Sequence, residues 1–179
     1  MNITTVGTGV IGGGLARRWQ QVGHKVTLLG HEGGDASGAD VVLVAVPSGS
    51  ISEALDNVSG LAGKIAVDAT NAYSGRDERY ESLAHEVKAH VNGPVAKAFN
   101  ANAGVLYDRI DEQRVRPGCL FAADDYAQEV TRQLIRDAGY EPEHVGGLDS
   151  ARAIEDFAVS VFAKLQPASF YRFATPGEL

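Results

Sequence analysis

Apolar positions along the chain fall into short runs divided by glycine-rich turns, and the period of each run predicts an element. Residues 3–6 form a short apolar strand. Residues 10–22 follow as a helix, with Ile11, Leu15, Trp19 and Val22 on one face at helical spacing. Gly23 and His24 end that helix, and residues 25–29 read as a second strand. Residues 30–39 hold four glycines and almost nothing apolar, so they read as loop. Residues 40–46 are a continuous apolar run, the pattern of a parallel strand buried on both faces, and Pro47 stops it. Ser50-Ile-Ser-Glu53 reads as a capping box opening a helix that continues through Val58. Residues 64–68 and 95–99 are further strands, with a polar loop at 69–79 and a short helix at 80–89 between them. The stretch 100–116 is mixed, with a short helix near 103–110. A strand at 119–122 precedes a helix at 126–138, capped by Asp124 or Asp125 and ended by Gly139. A weak last strand spans 141–145. Asp149 or Ser150 then caps the longest apolar helix, about 151–165, broken by Pro167. The tail 169–179 carries Phe170, Tyr171 and Phe173, so it covers either its own domain or a neighbouring subunit.

Alternating strands and helices with buried-type strands predict an α/β protein, a Rossmann-type, doubly wound, mostly parallel sheet. Nothing divides the chain, so residues 1–179 read as a single domain. The unit after strand two is shortened, because the loop 30–39 stands where a helix is usual. Such sheets bind ligands at the carboxyl ends of their strands. The positions that matter are therefore 7–12, 30–32, 46–48, 68–71 and 99–101.

The first of these is Gly7-Thr8-Gly9-Val10-Ile11-Gly12, between a strand and a helix. G-x-G-x-x-G in that context predicts dinucleotide binding. Gly7 permits the turn, Gly9 lets backbone approach a pyrophosphate, and Gly12 lets helix and strand pack closely. The first helical N–H groups have no partner inside the helix and sit at its positive end, which suits an anion. Gly12, Gly13 and Gly14 fall in the first turn or so, and each costs about 1 kcal/mol against Ala inside a helix. The expectation is that close approach offsets that cost.

Composition narrows the reading. A chain of 179 residues is long enough for one domain with a substantial core. A net charge of −7 argues against a nucleic-acid or membrane-surface role. No apolar run is long enough to span a bilayer, and no basic segment followed by an apolar stretch opens the sequence. The single cysteine, Cys119, excludes an internal disulfide and fits a reducing, cytoplasmic setting. It sits in an apolar strand and reads as a packed thiol.

These motifs, with four more, resemble a known family. Val44-Ala-Val-Pro47, Asp68-Ala-Thr-Asn71, Lys97-Ala-Phe-Asn100 and the Ala151-Arg-Ala-Ile-Glu155 segment make the sequence similar to the coenzyme F-420 (deazaflavin)-dependent NADP oxidoreductases and related dinucleotide-binding reductases. The resemblance runs over nearly the whole chain. It implies hydride transfer between NADP(H) and a second cofactor or acceptor, with deazaflavin coenzyme F-420 among the candidates, often in a homodimer. By the same resemblance the glycine turn holds the pyrophosphate and Val46, Pro47 and Ser48 line the adenosine side. Asn71, Phe99 and Asn100 lie towards the nicotinamide and the acceptor.

Two departures stand out. The family has Ser-Arg or Thr-Arg after strand two, where the guanidinium holds the 2′-phosphate of NADP. This chain has Gly30-His31-Glu32 and no Arg or Lys between Lys25 and Lys64. A phosphate about 4 Å from Glu32 would be repelled by roughly 4 kcal/mol at an effective dielectric near 20. Glu32 also lies at about the distance from Gly12 where an acid holds the ribose of NAD. NAD is therefore an alternative, with His31 the one histidine assigned to the site. The second departure is Ala72, where the family often has proline.

Hydride transfer asks the protein mainly to align two reactive carbons and exclude water. No catalytic triad is expected, and no G-x-S-x-G elbow occurs. The histidines have no metal-ligand helix spacing. Asp68 reads as a strand-end carboxylate, Lys97 as the partner of an acid, and Arg152 with Glu155 as an ion pair on a helix face. Two other functions fit the residues: a non-catalytic dinucleotide-sensing module, and a ferric or flavin reductase.

Overall fold

The computed structural model describes residues 1–177. Nine strands and five helices follow in chain order: β1 (Asn2–Val6), α1 (Val10–Gln21), β2 (Lys25–Leu29), β3 (Gly34–Asp35), β4 (Val41–Val44), α2 (Ile51–Asp56), β5 (Val58–Ser59), β6 (Ile65–Asp68), α3 (Leu83–Val91), β7 (Val95–Ala98), β8 (Gly118–Ala123), α4 (Asp125–Asp137), β9 (Glu141–His144) and α5 (Ala151–Ser160). Seven strands form one sheet in the order β2-β1-β4-β6-β7-β8-β9. Every neighbouring pair runs parallel except β7 and β8. This is the Rossmann-type, doubly wound, mostly parallel sheet that the alternation predicts.

The period of two within the central strands sorts their side chains into two cores. Val41 and Leu43 of β4 face a core with Leu15 and Trp19 of α1 and Leu134 and Ile135 of α4. Val42 and Val44 face a second core with Ile51 and Leu55 of α2 and Leu83, Val87 and Val91 of α3. All four β4 residues are buried, as a strand covered on both faces requires. Trp19 joins α1 to α4 directly, its indole N–H donating to the Leu134 carbonyl at 2.9 Å.

The shortened unit has a visible result. Residues 30–40 carry no helix; they contribute only β3, which pairs with β5 beside the main sheet. β2 is therefore an edge strand of that sheet, and three of its five residues are exposed.

Several local expectations are corrected. Ser50 makes no side-chain cap on α2; a 3-10 turn at Ser48–Ser50 leads into the helix instead. That helix stops at Asp56, and Val58 lies in β5. Asp124 does not cap α4 with its side chain. It accepts the Lys88 ammonium at 2.8 Å and the Val95 N–H at 2.9 Å, tying α3 and β7 together. The C-terminal helix ends at Ser160, well before Pro167, and a 3-10 turn at Phe162–Lys164 follows. The aromatic tail, as far as residue 177, folds back on its own chain. The Tyr171 carbonyl accepts from Gly118 N–H at 2.6 Å and its hydroxyl accepts from Leu120 N–H at 2.9 Å. Its ring packs edge-on against Phe157, Phe162 and Phe173. Residues 178 and 179 lie outside the described residues.

Candidate functional site

The strand order reverses between β1 and β4, since the chain leaves β1 for β2 on one side and reaches β4 on the other. Ligands of open α/β sheets bind in the crevice at such a switch point, beyond the carboxyl ends of the strands. Three adjoining cavities occupy that place. One, of about 410 Å³, lies beyond β1, β2 and β4 and is lined by Gly7, Thr8, Gly9, His31, Val46 and Pro47, among others. A second, of about 300 Å³, shares Gly9, Val46 and Pro47 with the first and adds Val10, Ser48 and Thr70. The third, of about 310 Å³, shares Ile11, Asn71 and Tyr73 with the second and reaches Asn100, Asn102 and the segment around Leu165 and Gln166. Shared walls make one crevice of the three.

The glycine turn divides its work between packing and binding. Gly7 is left-handed (φ +105°), and a Cβ there would strike the Ala45 carbonyl. A Cβ on Gly12 would strike the Gly7 carbonyl, and one on Gly14 the Tyr107 ring. These glycines serve the fold, so much of the close approach expected of the triple glycine is to the protein itself. Gly9 differs: a Cβ on it meets nothing within 4 Å, and it opens into two of the cavities. Gly9 is also the N-cap of α1, with no side-chain cap bond and no acid in the first helical turn. Helix donation inside the chain begins with Gly13 N–H to the Gly9 carbonyl at 2.8 Å. The first-turn N–H groups are thus left to a ligand, and no described side chain plugs them. Residues and space fit a dinucleotide's pyrophosphate here.

Charge differs along the crevice. The first cavity is lined by His31 and Glu53 and by no Arg or Lys. His31 and Glu32 pair at 3.1 Å and are almost wholly exposed. Lys25 and Lys64 sit at the opposite, amino ends of their strands, and Lys64 is held by the Ser37 and Ala39 carbonyls.

The far end stands on a buried ionic cluster. The Lys97 ammonium meets Asp68 Oδ2 at 2.6 Å, the Thr70 carbonyl at 2.7 Å and Glu155 Oε1 at 3.1 Å, with all three charged side chains wholly buried. Glu155 also accepts from Arg76 Nε at 2.8 Å and from Leu83 N–H at 3.0 Å. Arg76 reaches Asp156 as well. Burial raises the Asp68 carboxyl above its ordinary range, against the pull of Lys97. Such a cluster is costly unless every partner is in place, so it fixes the loop after β6 against β7 and α5. The expected Arg152–Glu155 pair does not form. Glu155 turns inward to Lys97 and Arg76, and Arg152 pairs one helical turn on with Asp156 at 3.2 Å.

Above the cluster, Asn71 and Asn100 lock together. Asn71 Nδ2 donates to the Asn100 carbonyl at 2.7 Å, and Asn100 Nδ2 donates to Asn71 Oδ1 at 3.0 Å. Asn102 donates to the Gly118 carbonyl at 2.9 Å, which leaves Oδ1 of both Asn100 and Asn102 without a partner. The sharp turn that brings these asparagines out comes from Phe99, left-handed at φ +64°. A bulky residue there is strained and must be held by its surroundings. Its ring is wholly buried, edge-on to Trp19 with centroids 5.8 Å apart. Among the residues assigned to the site from sequence, Phe99 is thus the one whose ring lies in the core rather than in the crevice. The others border the crevice, apart from Gly12, which braces the turn beneath it. Tyr73, Asn102 and Arg76 are not assigned to the site from sequence, and Glu53 is read there only as part of a capping box. Tyr73 and Asn102 lie just past the strand-end positions considered, and carrying that rule two residues further would have included them.

Among the described residues no group of His, Cys, Asp and Glu could hold a metal ion, and no helix is long and apolar enough to cross a membrane.

No protein-family model matches the chain, and no curated protein matches it in sequence. Solved structures do match. A presumptive F420-dependent NADP reductase from Arthrobacter sp. FB24 superposes with a TM-score of 0.76 at 21% identity, over 97% of this chain and 99% of that one. A hypothetical protein, SMa0349 of Sinorhizobium meliloti, gives 0.67 at 27% identity, over 84% and 86%. A reductive aminase from Aspergillus terreus, solved with NADPH4, cyclohexanone and allyl amine, gives 0.65 at 13% identity over 89% of this chain and 60% of that one. The class defined by fold and crevice is the Rossmann-type α/β protein. Within it, the shape is shared over nearly full length with the Arthrobacter protein, in line with the resemblance read from the motifs.

Proposed function

We propose that the chain is a nicotinamide-dinucleotide-dependent oxidoreductase that passes a hydride to an acceptor held at the far end of the crevice. The single observation that carries this reading is the uncapped start of α1 opening, through Gly9, into a crevice at the switch point of the sheet. When bound, the dinucleotide supplies the hydride. The chain's own residues do the rest: α1 and the glycine turn take the pyrophosphate, Val46, Pro47 and Ser48 wall the crevice, and the Asn71–Asn100 pair sets its far side.

NADP is the nucleotide that the likeness to NADP reductases supports. The lining favours a second reading, NAD, since Glu53 lines this end, Glu32 pairs with the lining His31, and no guanidinium or ammonium lines it to hold a 2′-phosphate. Calorimetric titration with NADP and NAD separates the two. Steady-state assays of the reduced nucleotides with deazaflavin, flavin and ferric acceptors test the reaction; tight binding with no turnover of any acceptor would favour the sensing module. The homodimer implied by the family resemblance is tested by light scattering on the purified chain.

A further inference from the structure

We infer that Tyr73 is the proton donor of the reaction, and that the acceptor is an uncharged carbonyl or imine compound rather than an anionic one. The inference rests on the proposed dinucleotide reading and gives it a substrate class.

Three observations carry it. Tyr73 lines both the second and the third cavity, so it stands where hydride donor and acceptor would meet. Among the described residues it is the only titratable side chain lining either of them. It projects from the 3-10 turn Ala72–Ser74, is 66% exposed, and its hydroxyl bonds to no described residue.

The rest of the third cavity is neutral. Asn71, Asn100, Asn102 and Gln166 give it four carboxamides, and Phe162 and Leu165 give it apolar wall. Among the described residues no Arg or Lys lines that cavity: Lys97 is paired with Asp68 and Glu155, Arg76 with Glu155 and Asp156, Arg152 with Asp156, and the exposed Lys164, between the wall residues Ala163 and Leu165, is not part of the wall. An anionic acceptor, or one carrying an anionic tail, finds no counter-ion in that wall, and removing its charge from water there would be costly. A neutral C=O or C=N group finds hydrogen-bonding amides and one acidic hydrogen.

The balance closes without a further reagent. The hydride forms a bond to the carbonyl or imine carbon, and the π electrons of that double bond move onto the oxygen or nitrogen. That atom takes the Tyr73 proton, giving an alcohol or an amine. The Tyr73 phenolate then recovers a proton from water, to which its exposed ring has access. General acid help of this kind is worth about 10²- to 10⁴-fold.

Two measurements on the full chain test the inference. In the first, tyrosine ring carbons are labelled and acetophenone, then benzoate, is added to the protein saturated with oxidised nucleotide. Acetophenone is expected to shift one tyrosine resonance that is missing from Tyr73→Phe, and benzoate to shift none. In the second, reduced nucleotide is offered with neutral ketones, aldehydes and cyclic imines, and with 2-oxo acids. Turnover is expected with the neutral set only. Tyr73→Phe is expected to lower kcat by about 10²-fold or more and to lose the solvent deuterium effect on it, with the calorimetric Kd for nucleotide unchanged. An unchanged kcat in Tyr73→Phe, turnover of 2-oxo acids alone, or a benzoate shift in place of the acetophenone shift would each overturn it. Nucleotide that binds while no carbonyl or imine is reduced sinks this inference and spares the dinucleotide reading; nucleotide that does not bind sinks both.

Discussion

The two ends of the crevice are built from different materials. The end at β1 is backbone: glycines packed against carbonyls and a helix start with bare N–H groups. The end at β6 and β7 is side chains: a buried lysine with its acids, below a pair of interlocked asparagines and an exposed tyrosine. On the proposed reading the backbone end takes what every dinucleotide shares, and it needs only local sequence. The side-chain end, on the same reading, would choose among acceptors, and it needs residues far apart in the chain to be brought into register.

The strongest way to break this contrast is to remove one member of the ionic cluster. Lys97→Met leaves Asp68 and Glu155 buried with their main partner gone and is expected to cost about 3–5 kcal/mol in urea unfolding. Cys119 offers a second readout of the same change. Burial pushes its thiol up to about 12, so the folded protein at pH 8 should resist alkylation, and Lys97→Met should speed it about tenfold for each 1.4 kcal/mol of stability lost.

The glycine end is sharpened by two substitutions with opposite readouts. Gly12→Ala drives a methyl into the Gly7 carbonyl and should cost about 1–3 kcal/mol of stability. Gly9→Ala puts the methyl into open space, so stability should stay within about 0.5 kcal/mol. Its effect should fall on the ligand instead, with calorimetric affinity for the dinucleotide dropping about tenfold, some 1.4 kcal/mol. Equal stability losses at Gly9 and Gly12 would abolish the distinction between packing and binding glycines.

The smallest expected effect lies at the exposed rim. Glu32→Arg removes a repulsion and adds a cation beside His31, and should raise NADP affinity relative to NAD by a few-fold, in keeping with the modest worth of exposed ion pairs. The ratio of the two dissociation constants reads it.

The same contrast explains what could be read from the sequence. Strand β4 and helix α1 announce themselves by unbroken apolarity and by a period near four, and the glycine turn by its place between β1 and α1. The ionic cluster could not be read that way. Asp68, Lys97 and Glu155 come from three elements and meet only once β6, β7 and α5 are stacked, so local spacing points Glu155 to Arg152 instead. Phe99 is hidden from sequence for a related reason: the left-handed turn at the end of β7 sends its ring inward to Trp19 while its neighbours go out. The caps at Ser50 and Asp124 failed because a 3-10 turn and a competing ammonium took those roles.

The way the aromatic tail is fastened bears on how such a protein could diversify. Tyr171 pins the tail to the start of β8 by its carbonyl and its hydroxyl, and the residues from Leu165 to Ser169 that precede it form one side of the third cavity. That side contributes no strand to the seven-stranded sheet. Selection could therefore reshape which molecules are admitted by rewriting a handful of consecutive codons, leaving the glycine-turn half of the molecule untouched.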